Sequence, residues 1–377
     1  EVLNGEKVDE RSDVYSLGKF IEYLFTVTDM PLEYKKVVKK ATKESPEERY
    51  DSVETMRRSL RKFQKSKQTV KTFLISLAIK KTPVLKVPLL AVACIPLSIY
   101  QAASVSIDSM VIGLGILTIA YFLYMYKAEE RSLDTKHVAL FCGLSLLLGL
   151  CKLPYLAFVF LILLVPQDNF KDRNILRYML LGILIVALAG VLWSSYSEPA
   201  LMHSWRSRLK YLDPPGQMNY ILSNPSFMGN FFAQIFTHNI AKILYGTFNF
   251  FGAAQKIHYA DSYHLIVVTL LLFLAVMLLA YPKREKFDLK TRIGTLFIVL
   301  AIYVGTCLIQ LLTWASVGKL NLGLSTRYFV PLFALFPIIG TFKIDRLEKY
   351  KDDFDKYAMV FIIAFMAVMV LSFATKY

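Results

Sequence analysis

Ser109–Tyr126 reads SMVIGLGILTIAYFLYMY, eighteen residues without a charge, bounded by Asp108 on one side and Lys127 on the other. As a helix it would rise about 27 Å, close to the hydrocarbon thickness of a bilayer. The chain repeats this pattern on both sides. Apolar segments fall at about 87–100, 109–126, 137–151, 153–165, 176–194, 263–281, 293–314, 328–342 and 357–375. The 377 residues are 55% hydrophobic with a mean hydropathy of +0.44, too apolar for a soluble protein of this size. The expectation is an all-α, polytopic helical membrane protein with about nine membrane segments and a small N-terminal cytoplasmic helical module.

Charge sets the expected topology. The net charge is +15, and Lys and Arg cluster in short loops between apolar segments, as cytoplasmic loops do. Lys283-Arg284-Glu285-Lys286 through Arg292 is the clearest cytoplasmic loop. Counting from it also places 80–86, 127–136, 166–175 and 343–356 inside, where Lys171, Arg173, Lys343, Arg346 and Lys349 agree. The same count sends 101–108, the turn at Lys152, the stretch 195–262 and 315–327 outside. Trp193 and Trp314 then fall at outer helix ends, as interface aromatics do. The four cysteines (Cys94, Cys142, Cys151, Cys307) sit inside apolar segments without metal-ligand spacing, so no metal, cofactor or disulfide framework is expected. Glu1 opens a polar stretch without a secretory signal, which leaves membrane targeting to internal helices.

Residues 1–63 read as a helical module, with helices expected over 12–27, 31–43 and 51–63 and a thin core of Val14, Leu17, Ile21, Leu24, Leu32, Val37, Val38, Ala41, Val53, Met56 and Leu60. Asp9-Glu10-Arg11-Ser12-Asp13-Val14-Tyr15-Ser16-Leu17-Gly18 and Pro46-Glu47-Glu48-Arg49-Tyr50 resemble two segments of the C-lobe of bacterial Ser/Thr protein kinases. The resemblance implies an ion pair between Glu1 and Arg49, and a carboxylate, Asp13, that is exposed or unsatisfied without its catalytic-loop partner. The Gly-rich loop, strand lysine, catalytic Asp and Mg-binding Asp of a kinase are not among these residues, so this chain alone is not expected to transfer phosphate. Residues 64–85 read as a basic juxtamembrane and interfacial segment. Arg57 to Lys67 holds six basic residues and no acid, which suits anionic lipid better than nucleic acid, since Phe63 is the one aromatic among them. The apolar run 70–79 is too short to span and is expected in the interface or as a helix end.

Residues 86–377 form the membrane domain in this reading, with 195–262 as an external region. That region holds an Asp213-Pro214-Pro215-Gly216 turn and an aromatic run with Phe227, Phe231, Phe232, Phe236, Tyr245, Phe248 and Phe250, expected as amphipathic helices at the outer leaflet. Four stretches carry a second resemblance: Ile95-Pro96 through Gln101 to Asp108, Lys152-Leu153-Pro154-Tyr155, Asn224-Pro225-Ser226-Phe227 and Ser325-Thr326-Arg327-Tyr328-Phe329-Val330-Pro331. Together they resemble an uncharacterised bacterial multispanning family found with cell-surface polysaccharide genes and similar to the GT-C glycosyltransferases. The resemblance implies a polyprenyl-phosphate sugar carrier as partner and work on the outer face.

The topology count separately gathers Asp108, Lys152 and Arg327 on the outer side, where charges beside membrane segments are costly and point to function. Arg327 and Lys152 suit a carrier phosphate, one as a fork and the other as a point charge; snorkelling to the interface is the structural alternative. Tyr155 and Tyr328 are expected to line a sugar or lipid groove. The external acids are Asp108, Glu198, Asp213 and Asp261; Asp108 is the general-base candidate, with capping of helix 109–126 as its alternative role. The GT-C pattern places its acidic residue in an early loop that residues 1–80 replace here, so a transferase inactive as this chain is one expectation. The competing expectations are a non-catalytic transport, scaffold or sensor component and a fragment of a membrane-tethered kinase.

Overall fold

The computed structural model describes residues 9–24, 32–103, 107–202, 212–249, 263–280, 287–340, 342–343, 349–350 and 353–376. The chain divides into two compact units, residues 1–70 with 195–210, and residues 71–194 with 211–377. Glu1, Asp261, the basic run 283–286 and Arg346 lie outside the described residues, as do the side chains of Glu198 and Lys343.

In the first unit, α1 (Glu10–Leu24), α2 (Leu32–Ala41) and the start of α3 (Val53–Lys81) close on a small core of Val14, Val37, Ala41, Tyr50 and Met56. Leu17, Ile21 and Leu60 pack at its edge. Arg49 is buried. It donates to the carbonyls of Lys43 (2.7 Å), Glu44 (2.8 Å) and Arg11 (3.3 Å) and lies over the Tyr15 ring. These bonds tie the loop before α3 to α1. Asp13 is exposed. Glu54 sits one turn ahead of the basic run and pairs with Arg57 at 2.7 Å and with Arg58 at 3.5 Å. The 70–79 run is the C-terminal part of α3, a continuous helix of 29 residues.

The second unit is built around α6 (Ile107–Tyr126), which is apolar on every side and 83% buried over its membrane-length window. A helix that is hydrophobic all round belongs inside a bundle. Each of the nine apolar segments is helical. They correspond to α4 (Lys86–Ala93) with α5 (Pro96–Ala103), α6, α7 (Thr135–Cys151), a three-ten helix Leu153–Leu164, α8 (Ile175–Met202), α12 (Tyr263–Leu278), α13 (Leu289–Thr313), a second three-ten helix Thr326–Leu335 running into α14 (Phe336–Ile339), and α15 (Phe354–Lys376). Among the described residues four helices are long and apolar enough to cross a membrane: those at 107–126, 175–197, 289–313 and 354–371. The spans in α8 and α15 are only 22% buried and leave most of their apolar surface outward, as lipid-facing helices do.

Geometry compensates for the shortness of the others. A three-ten helix rises about 2.0 Å per residue against 1.5 Å for an α-helix. The twelve residues of 153–164 therefore cover about 24 Å, close to the length of the 17-residue α7 beside them. Lys152 turns the chain between the two. Gly149 makes the turn possible, because a Cβ there would overlap a Leu156 methyl. The return is complete. Arg131 and Leu133 donate to the carbonyls of Asp168 and Asn169, and Lys171 donates back to Leu133, joining 131–133 to 168–171 at the far end.

That end of α6 also holds Tyr126, whose hydroxyl donates to Asp288 at 2.7 Å, and Asn169, whose amide donates to the Met125 carbonyl at 3.0 Å. Arg292 reaches the Ile339 carbonyl at 3.0 Å, and a two-residue parallel pair, β1 (Leu279–Ala280) and β2 (Phe342–Lys343), ties the neighbouring segments together. So the segments flanking 127–136, 166–175 and 287–292 share one end of α6, and Asp108 stands at the other.

The region after α8 is more deeply built in than an outer-leaflet layer. It comprises α9 (Pro214–Ser223), α10 (Pro225–Gln234), a π-helical turn Ile235–Asn239 and α11 (Ile240–Asn249). Phe231 and Phe248 are fully buried in the main core and Phe227 nearly so, while Phe232 and Phe236 are exposed. The Asp213-Pro214-Pro215-Gly216 sequence starts a helix: the Asp213 carboxylate accepts from Gly216 N–H, and both prolines sit in the first turn, where no N–H is needed.

Candidate functional site

Three helices of the second unit begin at the Asp108 end of α6: α6 itself, the 153–164 helix behind Lys152, and the 326–335 helix behind Ser325. Helix starts carry exposed N–H groups and partial positive charge, while the end of α7 at Cys151, directly before Lys152, carries the opposite sign. Asp108 is the second residue of α6 and is only 6% exposed. Its carboxylate meets Arg327 Nε at 2.9 Å and Lys152 Nζ at 3.6 Å. The Arg327 N–H is not aimed along that line, and Nε has no hydrogen-bond acceptor, so the contact is ionic.

The aromatic members complete the cluster. Lys152 Nζ lies 3.2 Å from the centroid of the Tyr328 ring, and the Arg327 guanidinium carbon lies 5.5 Å from it. A ring face shared by two cations offsets part of their burial cost. Tyr155 is fully buried, edge-on to Phe158, and its hydroxyl donates to the Tyr328 carbonyl at 2.6 Å. That bond fixes the backbone from which Arg327 and Tyr328 project. Gly115, two turns along α6, lets the 326–335 helix approach, since a Cβ there would stand 2.9 Å from Pro331 Cβ.

The structure therefore brings together Asp108, Lys152, Tyr155, Arg327 and Tyr328. Lys152 and Arg327 side chains are 17% and 28% exposed against 9% for Asp108, so the cations are the accessible groups and the acid lies beneath them. Burial pushes the Lys152 ammonium, which sits in the turn between two helices, down to about 7; Asp108 opposes that shift and Arg327 adds to it. Among the described residues no group of three or more His, Cys, Asp or Glu side chains could hold a metal ion.

Sequence reasoning missed Lys71. It is 2% exposed, and its Nζ donates to the Ser98 carbonyl at 2.5 Å, inside the bundle against α6 at Gly113. The signal was a single lysine within the otherwise apolar run 70–79.

Fold and site together define a multispanning helical membrane protein with a buried ionic cluster at one end of its central helix. Residues 69–336 match the family model described as a predicted membrane protein (DUF2142), and the chain belongs to that family. No curated protein and no solved structure matches it.

Proposed function

We propose that this protein is a GT-C-like glycosyltransferase of the cell envelope that takes its sugar from a polyprenyl-phosphate carrier for surface polysaccharide assembly. The observation that carries this reading is the convergence of Lys152 and Arg327 over Asp108, among three helix starts, on a membrane-domain end. Two cations against one carboxylate leave a positive excess matched to a phosphodiester. Asp108 holds the two cations in register, and Tyr328 and Tyr155 fix their backbone. Tyr155 acts through Tyr328 as a positioning residue, because its ring is buried and its hydroxyl is committed. For transfer, the acceptor oxygen would attack the anomeric carbon and give its proton to Asp108, while the bond from that carbon to the phosphate oxygen breaks and the carrier phosphate leaves, its charge held by Arg327 and Lys152.

A second reading has its own support. Asp108 is engaged by both cations, which suits a component that binds the carrier without transferring the sugar. Residues 1–63 fit a kinase C-lobe-like helical module whose Arg49 is a structural clasp rather than part of phosphate chemistry.

The test is sugar transfer from radiolabelled polyprenyl-phosphate donors in membranes carrying the full chain. Arg327→Gln is expected to lower transfer by about 100-fold, as loss of a charged transition-state contact does, and Asp108→Asn to lower it comparably. Transfer that both variants leave unchanged would sink the site. Donor binding without transfer in the parent chain would favour the binding component.

A further inference from the structure

The 326–335 helix separates two faces at its first two residues. Arg327 faces the ionic cluster. Thr326, one residue earlier, lines a different cavity of about 220 Å³ together with Gln234, His238, Asn239, Lys242 and Asn321. The π-helical turn explains this grouping. Gln234, His238 and Lys242 recur every four residues along one face, and the i→i+5 pitch of the turn brings Asn239 round beside them. The opposite wall is the loop 320–324, where Gly323 adopts φ +57, a left-handed conformation that glycine takes without strain. Gln234 anchors that loop by donating its amide to the Leu320 carbonyl at 3.2 Å.

The lining has a distinct chemistry. Asn239 is 6% exposed, and its Nδ2 has no hydrogen-bond partner. A buried amide left without a partner costs free energy, so Asn239 Nδ2 is a donor that a ligand in this cavity could satisfy. Buried Ile243 and Leu322 add apolar surface to the floor, and His238, Lys242 and Asn321 are exposed at the rim. Amide and hydroxyl groups offer paired donors and acceptors, which match vicinal hydroxyls rather than a fully charged ligand.

We infer that this cavity is the binding site for a single sugar ring, held by Asn239 from below and by His238, Lys242 and Asn321 at the rim. The cavity volume is on the scale of one hexose and well below that of a drug-sized ligand. Its position beside Arg327 rests on the reading of the ionic cluster as a phosphate site: a carrier phosphate on Lys152 and Arg327 would place its sugar across Thr326.

Saturation-transfer NMR on the purified full chain tests this, using methyl glucoside, methyl galactoside, N-acetylglucosamine and glucuronate as separate probes. At least one is expected to receive ring-proton saturation, and Asn239→Leu to reduce it roughly fivefold or more. The exposed double variant His238→Ala with Asn321→Ala is expected to reduce it as well, which guards against a folding defect of Asn239→Leu. No saturation of any probe, or saturation unchanged in both variants, would overturn the inference. Inorganic pyrophosphate followed by phosphorus NMR separates the two readings. Its binding should survive Asn239→Leu and disappear in Arg327→Gln, whereas sugar binding should do the reverse. Sugar binding without pyrophosphate binding would leave the cavity standing and remove the phosphate site.

Discussion

Lys152 is the residue on which the ionic cluster turns. Burial and the neighbouring Arg327 work against the charge of this lysine, and Asp108 at 3.6 Å restores part of it. Its ammonium is held down to about 7. Lys152 is cationic below that pH and loses its charge as pH rises through it, while a phosphodiester stays singly negative across the range. Binding of a polyprenyl-phosphoryl sugar should therefore weaken several-fold between about pH 6 and pH 8.5. Lys152→Arg keeps a charge that does not titrate there and should flatten the profile. Binding isotherms in detergent across that range measure both, and a profile equally steep in Lys152→Arg would assign the titration to another group.

At the scale of elements, close approach at glycine decides how the second unit packs. Gly115 of α6 faces Pro331, and Gly143 of α7 faces open space, with nothing within 4 Å of the point where a Cβ would stand. The same substitution should then have opposite effects. Gly115→Ala forces a methyl to 2.9 Å from Pro331 Cβ in a helix that cannot slide without moving Arg327, and should cost about 1–3 kcal/mol. Gly143→Ala meets no neighbour and should be neutral or stabilise by up to ~1 kcal/mol through helix propensity. Thermal unfolding of the two variants in detergent measures the difference, and equal shifts would remove packing as the cause. Part of this level was legible in sequence. Each apolar run holds a helix, because burial without water demands that backbone groups be satisfied within the segment. The three-ten stretches were not legible. An apolar run of twelve residues looks too short when read at 1.5 Å per residue, and composition carries no sign that the backbone will extend to 2.0 Å. The π-helical turn at 235–239 was hidden for the same reason: periodicity reports which residues share a face only after the pitch is known.

At the scale of the whole molecule, the legible part of the site came from counting crossings. Asp108, Lys152 and Arg327 lie more than 200 residues apart in sequence, between first and last, yet each borders an apolar run on the same side of the count. Lys71 escaped because it lies within a run rather than at its edge. The same count can be tested on exposed residues. Glu129 follows the Tyr126 end of α6, in the segment 127–136 that carries Lys127, Arg131 and Lys136 and joins 168–171 with Lys171 and Arg173 nearby. Lys319 lies in the loop that precedes Arg327, beside Gly318, whose N–H donates to Gln217 at 2.8 Å. The proposed orientation, drawn from the positive bias, has the Glu129 end in the cytoplasm and the Lys319 end outside. In a chain with Cys94, Cys142, Cys151 and Cys307 replaced by serine, Lys319→Cys should react with an impermeant maleimide in intact cells. Glu129→Cys should react only after permeabilisation. The reverse pattern would turn the ionic cluster and its neighbouring cavity to the cytoplasm and exclude an outer-face transferase, while labelling of both from outside would mean that α6 does not cross.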